Sequence, residues 1–418
     1  MDGIYVVGET FMARTGNNLE RIKFQNIESI KEIIYRQGPI SRAEIAELLQ
    51  LTPPTITTNV ANLIQQGIVR ECENVPSQEG RRALGRRRVL IDYIPDAKYT
   101  VGVECGYHGM LICLVDIRCN VVAERKYTDR ISYYEETIDA VARHVEELLE
   151  EQGIPREKIA GLGIAFPGFV NQREGVLRYG AINKWKDKTI TKDLESRTGF
   201  ACIMENNVRC CAIGEAMRSD RLRPETFAYF LVSRGLGCPM VIRNRLHVGE
   251  MTGAGEVGHM VVAPKGPVCP TCGNRGCLEG ISSELAIRER CGQAVREGVP
   301  TLLNAVCANP AEPQIEEILQ AQNSNDHVVC TIMEDAITYI GIGLANIINF
   351  ISPPLVIIDG RILQSEKNQK LLIEVTRNNL FSVNVEEVDM EFVPFNKFRA
   401  AMGAAALAIR KFILEERR

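Results

Sequence analysis

No apolar run in this sequence approaches the roughly 20 residues that a membrane-crossing helix requires, and the longest, such as Ile340 to Ile351, are broken by Gly and Asn. The opening residues carry Asp2, Glu9 and Glu20 and have no apolar centre of the secretory kind. These absences predict a cytoplasmic protein with no membrane partner. No large excess of one charge is present either, the net being −4. Residues 1–90 hold 12 Lys and Arg against 10 Asp and Glu, a net of +2 that leaves −6 for the rest, and five of the positive charges fall between Arg81 and Arg88. That is a focused basic spot rather than a basic domain. The 14 cysteines are too thinly spread over 418 residues for a disulfide scaffold. Cys269, Cys272 and Cys277 alone lie close together, and the others are expected as small buried hydrophobes in a reducing cell.

What is present is enough for more than one core. A chain of this length exceeds the roughly 100 to 200 residues of an ordinary domain, and 45% apolar with 24% charged residues is a globular balance. Near the N-terminus, Phe24, Ile27, Ile30 and Ile33/Ile34 recur at helical spacing up to Gly38-Pro39, which predicts a helix over about Phe24 to Arg36. Ser41 followed by Glu44 is a capping-box pattern opening a second helix, about Arg42 to Leu49. Thr52 then caps a third whose first residue is Pro53, a position where no hydrogen bond is lost. Ile56, Val60, Leu63 and Ile64 would face inward. Pro54, Thr55, Thr57, Thr58 and Asn59 would face outward, short enough to enter a major groove. This is a helix-turn-helix with the last helix as reader. Two strands, Ile68 to Arg70 and Arg88 to Ile91, flank a loop from Glu79 to Arg88 whose Arg81, Arg82, Arg86 and Arg87 would reach phosphates or a narrow minor groove as a wing. The bland alternative is a solvated basic loop.

Beyond residue 98, Tyr99 to Val103, Leu111 to Asp116 and Val121 to Arg125 read as strands, Glu135 to Glu151 as a helix and Ile159 to Ala165 as a strand. Later come strands Phe227 to Val232, Pro239 to Ile242 and Leu355 to Asp359, a long helix Asp326 to Asn349 and a last helix Ala400 to Leu414. Periodicity alone makes this an α/β body; the order of its opening elements is that of an actin-like, ribonuclease-H-like fold. His259, Cys269, Cys272 and Cys277 place one imidazole and three thiols within a short span, a donor set that suits one structural zinc with no open position for reactive water. Gly273 and Gly276 would let that loop turn back on itself. Unmetallated or redox-active thiols are the alternative.

Residues 24–91 resemble the N-terminal domain of regulators in the ROK family (repressors, open-reading-frame proteins and kinases), through Gly38 to Ala46 and the wing beginning Gly80-Arg81-Arg82. The body resembles the same family through Gly161 to Gly168, Trp185, Glu205-Asn206-Asn207, Gly214-Glu215, Gly255 to His259 and Cys272 to Glu279. Catalytic members lack the N-terminal domain, so its presence argues for regulation. The resemblance implies a winged helix-turn-helix over 1–95 and a two-lobed sugar-kinase fold, with a small lobe 98–208 completed by 396–418 and a large lobe 209–395 carrying the zinc knuckle and dimerisation surface. It also implies a sugar site of Gly168, Asn206, Asn207, Glu256, His259 and Glu279. Glu256 and Glu279 as mere supports of the knuckle, and Trp185 as either cleft wall or core, are competing readings. The family usually has one residue between the first two cysteines, where this chain has Pro270 and Thr271.

The kinase machinery implied by the family is eroded. Asn207 stands where kinases carry the aspartate that takes the proton from the sugar hydroxyl, and an amide is no base near neutrality. Glu205 beside it would point elsewhere in an extended segment. The turn Glu104-Cys105-Gly106-Tyr107-His108 has lost a glycine and a threonine expected to face phosphates, the loop Arg234 to Pro239 ends in a residue without N–H, and Asp359-Gly360-Arg361 keeps part of a Gly-Gly turn. No catalytic residue is therefore assigned. The expected function is a sugar-responsive regulator, a repressor, binding a double-stranded operator as a homodimer or tetramer with a hexose or amino-hexose effector. The rivals are a residual or bifunctional sugar kinase and a DNA-bound regulator that answers to a protein partner instead of a sugar.

Overall fold

The computed structural model describes residues 18–72, 89–107, 109–129, 132–218, 224–250, 253–381 and 388–415. The chain divides into two compact units, Met1–Ile94 with Phe412–Arg418, and Pro95–Lys411. The final residues thus group with the N-terminal unit, whereas the sequence places all of 396–418 in the small lobe.

In the first unit, helix α1 spans Asn18–Gln37, strand β1 Ile40–Ser41, α2 Arg42–Leu49, α3 Pro53–Gln65, β2 Val69–Cys72 and β3 Leu90–Tyr93. The start of α1 lies ahead of Phe24: Leu19 and Ile22 carry the helical spacing back past it, although Ile22 itself stays exposed. The capping box of α2 is closed in both directions: Glu44 N–H donates to Ser41 Oγ at 3.3 Å and Ser41 N–H to Glu44 Oε2 at 2.9 Å. Ile30, Ile34, Ile45, Ile56, Val60 and Ile91 are fully removed from solvent. Tyr35 and Tyr93 meet edge to face with centroids 6.1 Å apart, and Tyr93 extends β3 beyond the expected Ile91 by pairing with Val69. The three strands pair antiparallel in the order β1-β3-β2.

The second unit opens with β4 (Tyr99–Gly106), β5 (Gly109–Asp116), β6 (Val121–Tyr127), α4 (Tyr134–Gln152) and β7 (Ile159–Phe166). It continues through β8 (Gly168–Asn171), β9 (Val176–Gly180), β10 (Lys186–Lys188), α5 (Ile190–Thr198), β11 (Cys202–Asn206) and α6 (Asn207–Met217). β4, β5 and β6 form an antiparallel meander, while β7 and β11 run parallel to β4, in the order β11-β7-β4-β5-β6. Then come β12 (Phe227–Val232), β13 (Leu236–Gly237), β14 (Met240–Ile242), β15 (Arg245–His247), α7 (Leu278–Ser282), α8 (Glu284–Arg296), α9 (Leu303–Val306), α10 (Ile315–Asn323), α11 (His327–Ile351), β16 (Leu355–Asp359), α12 (Glu366–Asn378), β17 (Asp389–Phe392) and α13 (Arg399–Ile409). The second large sheet runs β15-β14-β12-β16-β17, with β13 hydrogen-bonded to β12. This is the two-lobed mixed α/β body.

Helices α6 and α13 join the lobes: α13 lies on β4 and β7, α6 on β12 and β14, and the helices pack on each other. Small residues make this approach possible. A Cβ on Gly102 would come 1.9 Å from Ala401 O, and one on Gly403 would come 1.9 Å from Cys210 O. Asp326 is the N-cap of α11, accepting from Val329 N–H. By length and composition α11 is long and apolar enough to cross a membrane, which corrects the expectation that no apolar run is. Half of its most apolar stretch is buried inside the protein, with Val329, Met333, Ile337, Ile340 and Leu344 in the core of the second lobe.

Candidate DNA-reading, metal and effector sites

On α3 the Thr52 hydroxyl accepts from Thr55 N–H at 3.5 Å, and Pro54, Thr57 and Thr58 are exposed. Thr55 and Asn59 are half-buried, and the Asn59 amide donates to Thr55 O at 2.8 Å within the helix. The exposed reading face is thus centred on Thr57 and Thr58, with the Asn59 amide already engaged. Arg81, Arg82, Arg86 and Arg87 lie in residues 73–88, outside those described.

The sequence brings His259, Cys269, Cys272 and Cys277 together as it predicts, their ligand atoms all within 4.8 Å of one another. Gly273 (φ 78°) and Gly276 (φ 74°) adopt left-handed backbone, and a Cβ on Gly276 would lie 1.7 Å from Ala263 O. Cys272 Sγ is 3.6 Å from Cys277 Sγ and Cys269 Sγ is 3.9 Å from His259 Nδ1. A tetrahedral ion with metal–sulfur bonds of about 2.3 Å would set its sulfurs about 3.8 Å apart, so the donor set fits one such ion. The backbone N–H of Asn274 holds the Cys272 thiol below its ordinary range. Burial and the adjoining Cys272 push Cys277 up to about 12, so only with a cation among them would the thiols ionise together.

The residues expected to face a sugar are tied to one another. Asn206 closes β11 and caps α6: its Oδ1 accepts from Val208 N–H at 2.9 Å and Arg209 N–H at 3.2 Å, and its Nδ2 donates to Gly168 O at 3.0 Å. Glu205 is buried in the extended strand, with Arg209 Nη1 3.6 Å from its carboxylate. Arg209 also donates to Ala254 O at 3.0 Å, just ahead of Glu256. Glu256 is raised from its ordinary pKa by burial, with His259 and Arg209 acting in the opposite direction. Glu279 Oε2 accepts from Leu236 N–H at 3.2 Å and its Oε1 from the Thr271 hydroxyl at 2.6 Å. Sequence reasoning misses Arg209, whose only local signal is that it follows the Asn206-Asn207 pair on the first turn of α6; the Pro270-Thr271 insertion it does single out, as a feature that alters how Glu279 points, and Thr271 is the residue of the two that touches Glu279. Trp185 is core, 9% exposed and packed beside Tyr134 and Phe166.

Where the turn after β4 meets the turn after β16, a cavity of about 100 Å³ is lined by residues including Glu104, Gly106, Asn207, Asp359, Gly360 and Arg399, against roughly 300 to 1,000 Å³ for a typical small-molecule site. Burial pushes Glu104 up to about 7, with a hydrogen bond from the Asn207 side chain pulling it down. The Tyr107 ring lies under the Arg234 guanidinium, 4.1 Å from its centroid. Arg399 Nε is 2.9 Å from Asp359 Oδ2 and its Nη1 donates to Glu215 at 2.6 Å. Burial raises Asp359, countered first by Arg399.

Residues 100–411 match the family model described as ROK family, and residues 32–74 match the MarR family model. The chain is similar to the N-acetylglucosamine repressor of Escherichia coli O157:H7, 27% identical over 401 residues that cover 95% of each chain. It is also similar to the xylose repressor of Bacillus subtilis strain 168, 26% identical over 336 residues covering 80% of this chain and 82% of that one. Among solved structures, a ROK family transcriptional regulator described as a homolog of the E. coli MLC protein superimposes with a TM-score of 0.80 at 24% identity, covering 94% of this chain and 98% of the other. An N-terminal helix-turn-helix unit, a two-lobed body with its His/Cys loop, and a family match across most of that body lead to one assignment: the chain belongs to the ROK family.

Proposed function

We propose that this chain is a sugar-responsive, DNA-binding transcriptional regulator that acts as a repressor in the cytoplasm. The observation that carries the reading is the presence, in one chain, of a capped helix exposing Thr57 and Thr58 and a ROK body. Relatives named for N-acetylglucosamine and for xylose point to a sugar as effector, and the set Gly168, Asn206, Glu256, His259 and Glu279 supplies the carboxylates, amide and imidazole that recognise a hexose or amino-hexose. Buried polar groups of this kind reject a sugar that leaves one unmatched.

His259, Cys269, Cys272 and Cys277 would hold one structural zinc per chain, whose bond strength fixes the loop between Glu256 and Glu279. Kinase activity is absent in this reading. Asn207 accepts no proton, Tyr107 and Arg234 occupy each other where phosphates would sit, and Arg399 neutralises Asp359. A homodimer or tetramer would present paired α3 helices to a palindromic operator, with residues 1–95 as the DNA-binding domain and 98–208 and 209–395 as the lobes that close on the sugar. Fluorescence-anisotropy titration on DNA from upstream of its own gene, at fixed salt, tests this: one hexose or amino-hexose of a panel should shift DNA affinity severalfold, with no sugar-dependent ATP consumption. Tight specific DNA binding that no sugar moves, or hexose-dependent ATP turnover, contradicts it.

A further inference from the structure

Thr271 is the second of the two residues separating Cys269 from Cys272, and its hydroxyl is turned away from the metal ligands toward Glu279 Oε1, 2.6 Å away. The other oxygen of that carboxylate is held by the backbone N–H of Leu236 at 3.2 Å. Leu236 belongs to β13, which pairs with β12 through Val232. A Cβ on Gly235 would come 2.9 Å from Glu279 Oε2 and one on Gly258 would come 3.2 Å from it, so the two glycines let the carboxylate sit close against the backbone on those two sides. It is therefore bounded by the metal loop, by the loop after β12 and by the turn that carries His259.

We propose that Thr271 is a positioning residue for effector selectivity: its hydroxyl clamps Glu279 against Leu236 N–H and so fixes the carboxylate that reads the sugar. The inference rests on the sugar-sensing reading above. Each carboxylate oxygen has two acceptor sites, and the clamp fills one on each, leaving one apiece for a pair of sugar hydroxyls. A carboxylate fixed in orientation serves one hydroxyl arrangement and leaves an epimer with an unmatched polar group, whereas one free to turn follows either. Thr271 directly precedes Cys272, and a residue without a hydroxyl at this place would leave Glu279 Oε1 without this donor, so the clamp is a property of the residue type at position 271.

The test compares the full-length protein with Thr271→Val, which keeps the shape and removes the hydroxyl, and Thr271→Ser, which restores it. Zinc content is matched in all three. Calorimetric titration with a panel of free hexoses and N-acetylamino-hexoses reads selectivity, and hydrogen exchange at Leu236 without sugar reads the clamp. The expected result is a loss of about tenfold in affinity for the preferred sugar in Thr271→Val, a smaller change for its epimers, faster exchange at Leu236, and recovery of all three in Thr271→Ser. Unchanged sugar ranking and unchanged exchange in Thr271→Val overturn the proposal. A parent protein that binds no sugar of the panel, while Thr271→Val still speeds exchange at Leu236, overturns the sugar-sensing reading and the selectivity role with it, and leaves the clamp as a local fact of the fold.

Discussion

Glu104 shows how far the fold can set the protonation of a single side chain. It lines the small cavity beside Asp359 and Gly360, burial raises it to about 7, and the Asn207 amide is its hydrogen-bond partner. A carboxylic acid whose pKa is raised by folding favours the folded state fully below its unfolded value, near 4.5, and that contribution fades as pH climbs through the folded value. Glu104→Gln should therefore be more stable than the parent at pH 8, by on the order of 1 to 3 kcal/mol, and close to it at pH 4.5. Thermal unfolding of both proteins across that range checks the sign; a variant equally stabilised at both pH values would mean that Glu104 is not held protonated by its surroundings. The residue types at the metal and sugar sites are legible from chemistry and spacing, since an imidazole and three thiols as close in sequence as His259, Cys269, Cys272 and Cys277 suit a metal ion above all. The backbone partners that complete their orientation are not: Leu236 N–H reaches Glu279 and Ala254 O reaches Arg209 from segments more than forty residues away.

Elements with local signals are legible almost to the residue. α2 and α3 begin and end as their caps require, because an N-cap hydroxyl and a first-turn proline act within a few residues of the chain. The start of α1 and the end of β3 differ from expectation, the first because Leu19 and Ile22 carry the helical spacing back past Phe24 and the second because Tyr93 is retained by Tyr35 from another element. In α11 the glycines suggest an interrupted apolar run, yet Gly341 and Gly343 are tolerated inside the helix because neighbouring side chains occupy the space, Val375 against the first and Leu278 against the second. The joint between the lobes is not visible in the sequence at all. Its alanine- and glycine-rich α13 has no strong periodicity, and what it requires is closeness to Gly102, Gly163 and the backbone of Cys210. Gly403→Ala puts a methyl where only 1.9 Å separates it from Cys210 O, and should cost about 3 kcal/mol or more by forcing α6 and α13 apart. Denaturant unfolding measures this, and a loss below about 0.5 kcal/mol would show that the helices separate easily.

For the whole molecule, a ligand bound by the body and an operator bound by the N-terminal unit must share one coupling free energy. Linkage requires that the factor by which sugar alters DNA affinity equal the factor by which DNA alters sugar affinity, whichever direction it takes. For a regulator that factor is typically about 5 to 150. The Coulombic part of DNA binding depends steeply on salt, so both halves of the comparison belong at one ionic strength. The decisive measurement is calorimetric titration of the effector sugar into the protein with and without saturating operator DNA, set beside the operator affinity with and without saturating sugar. A sugar-responsive repressor must show the same severalfold change in both. Sugar affinity that is identical in the free and DNA-bound protein would show that the body does not speak to the reading head, and would contradict that function.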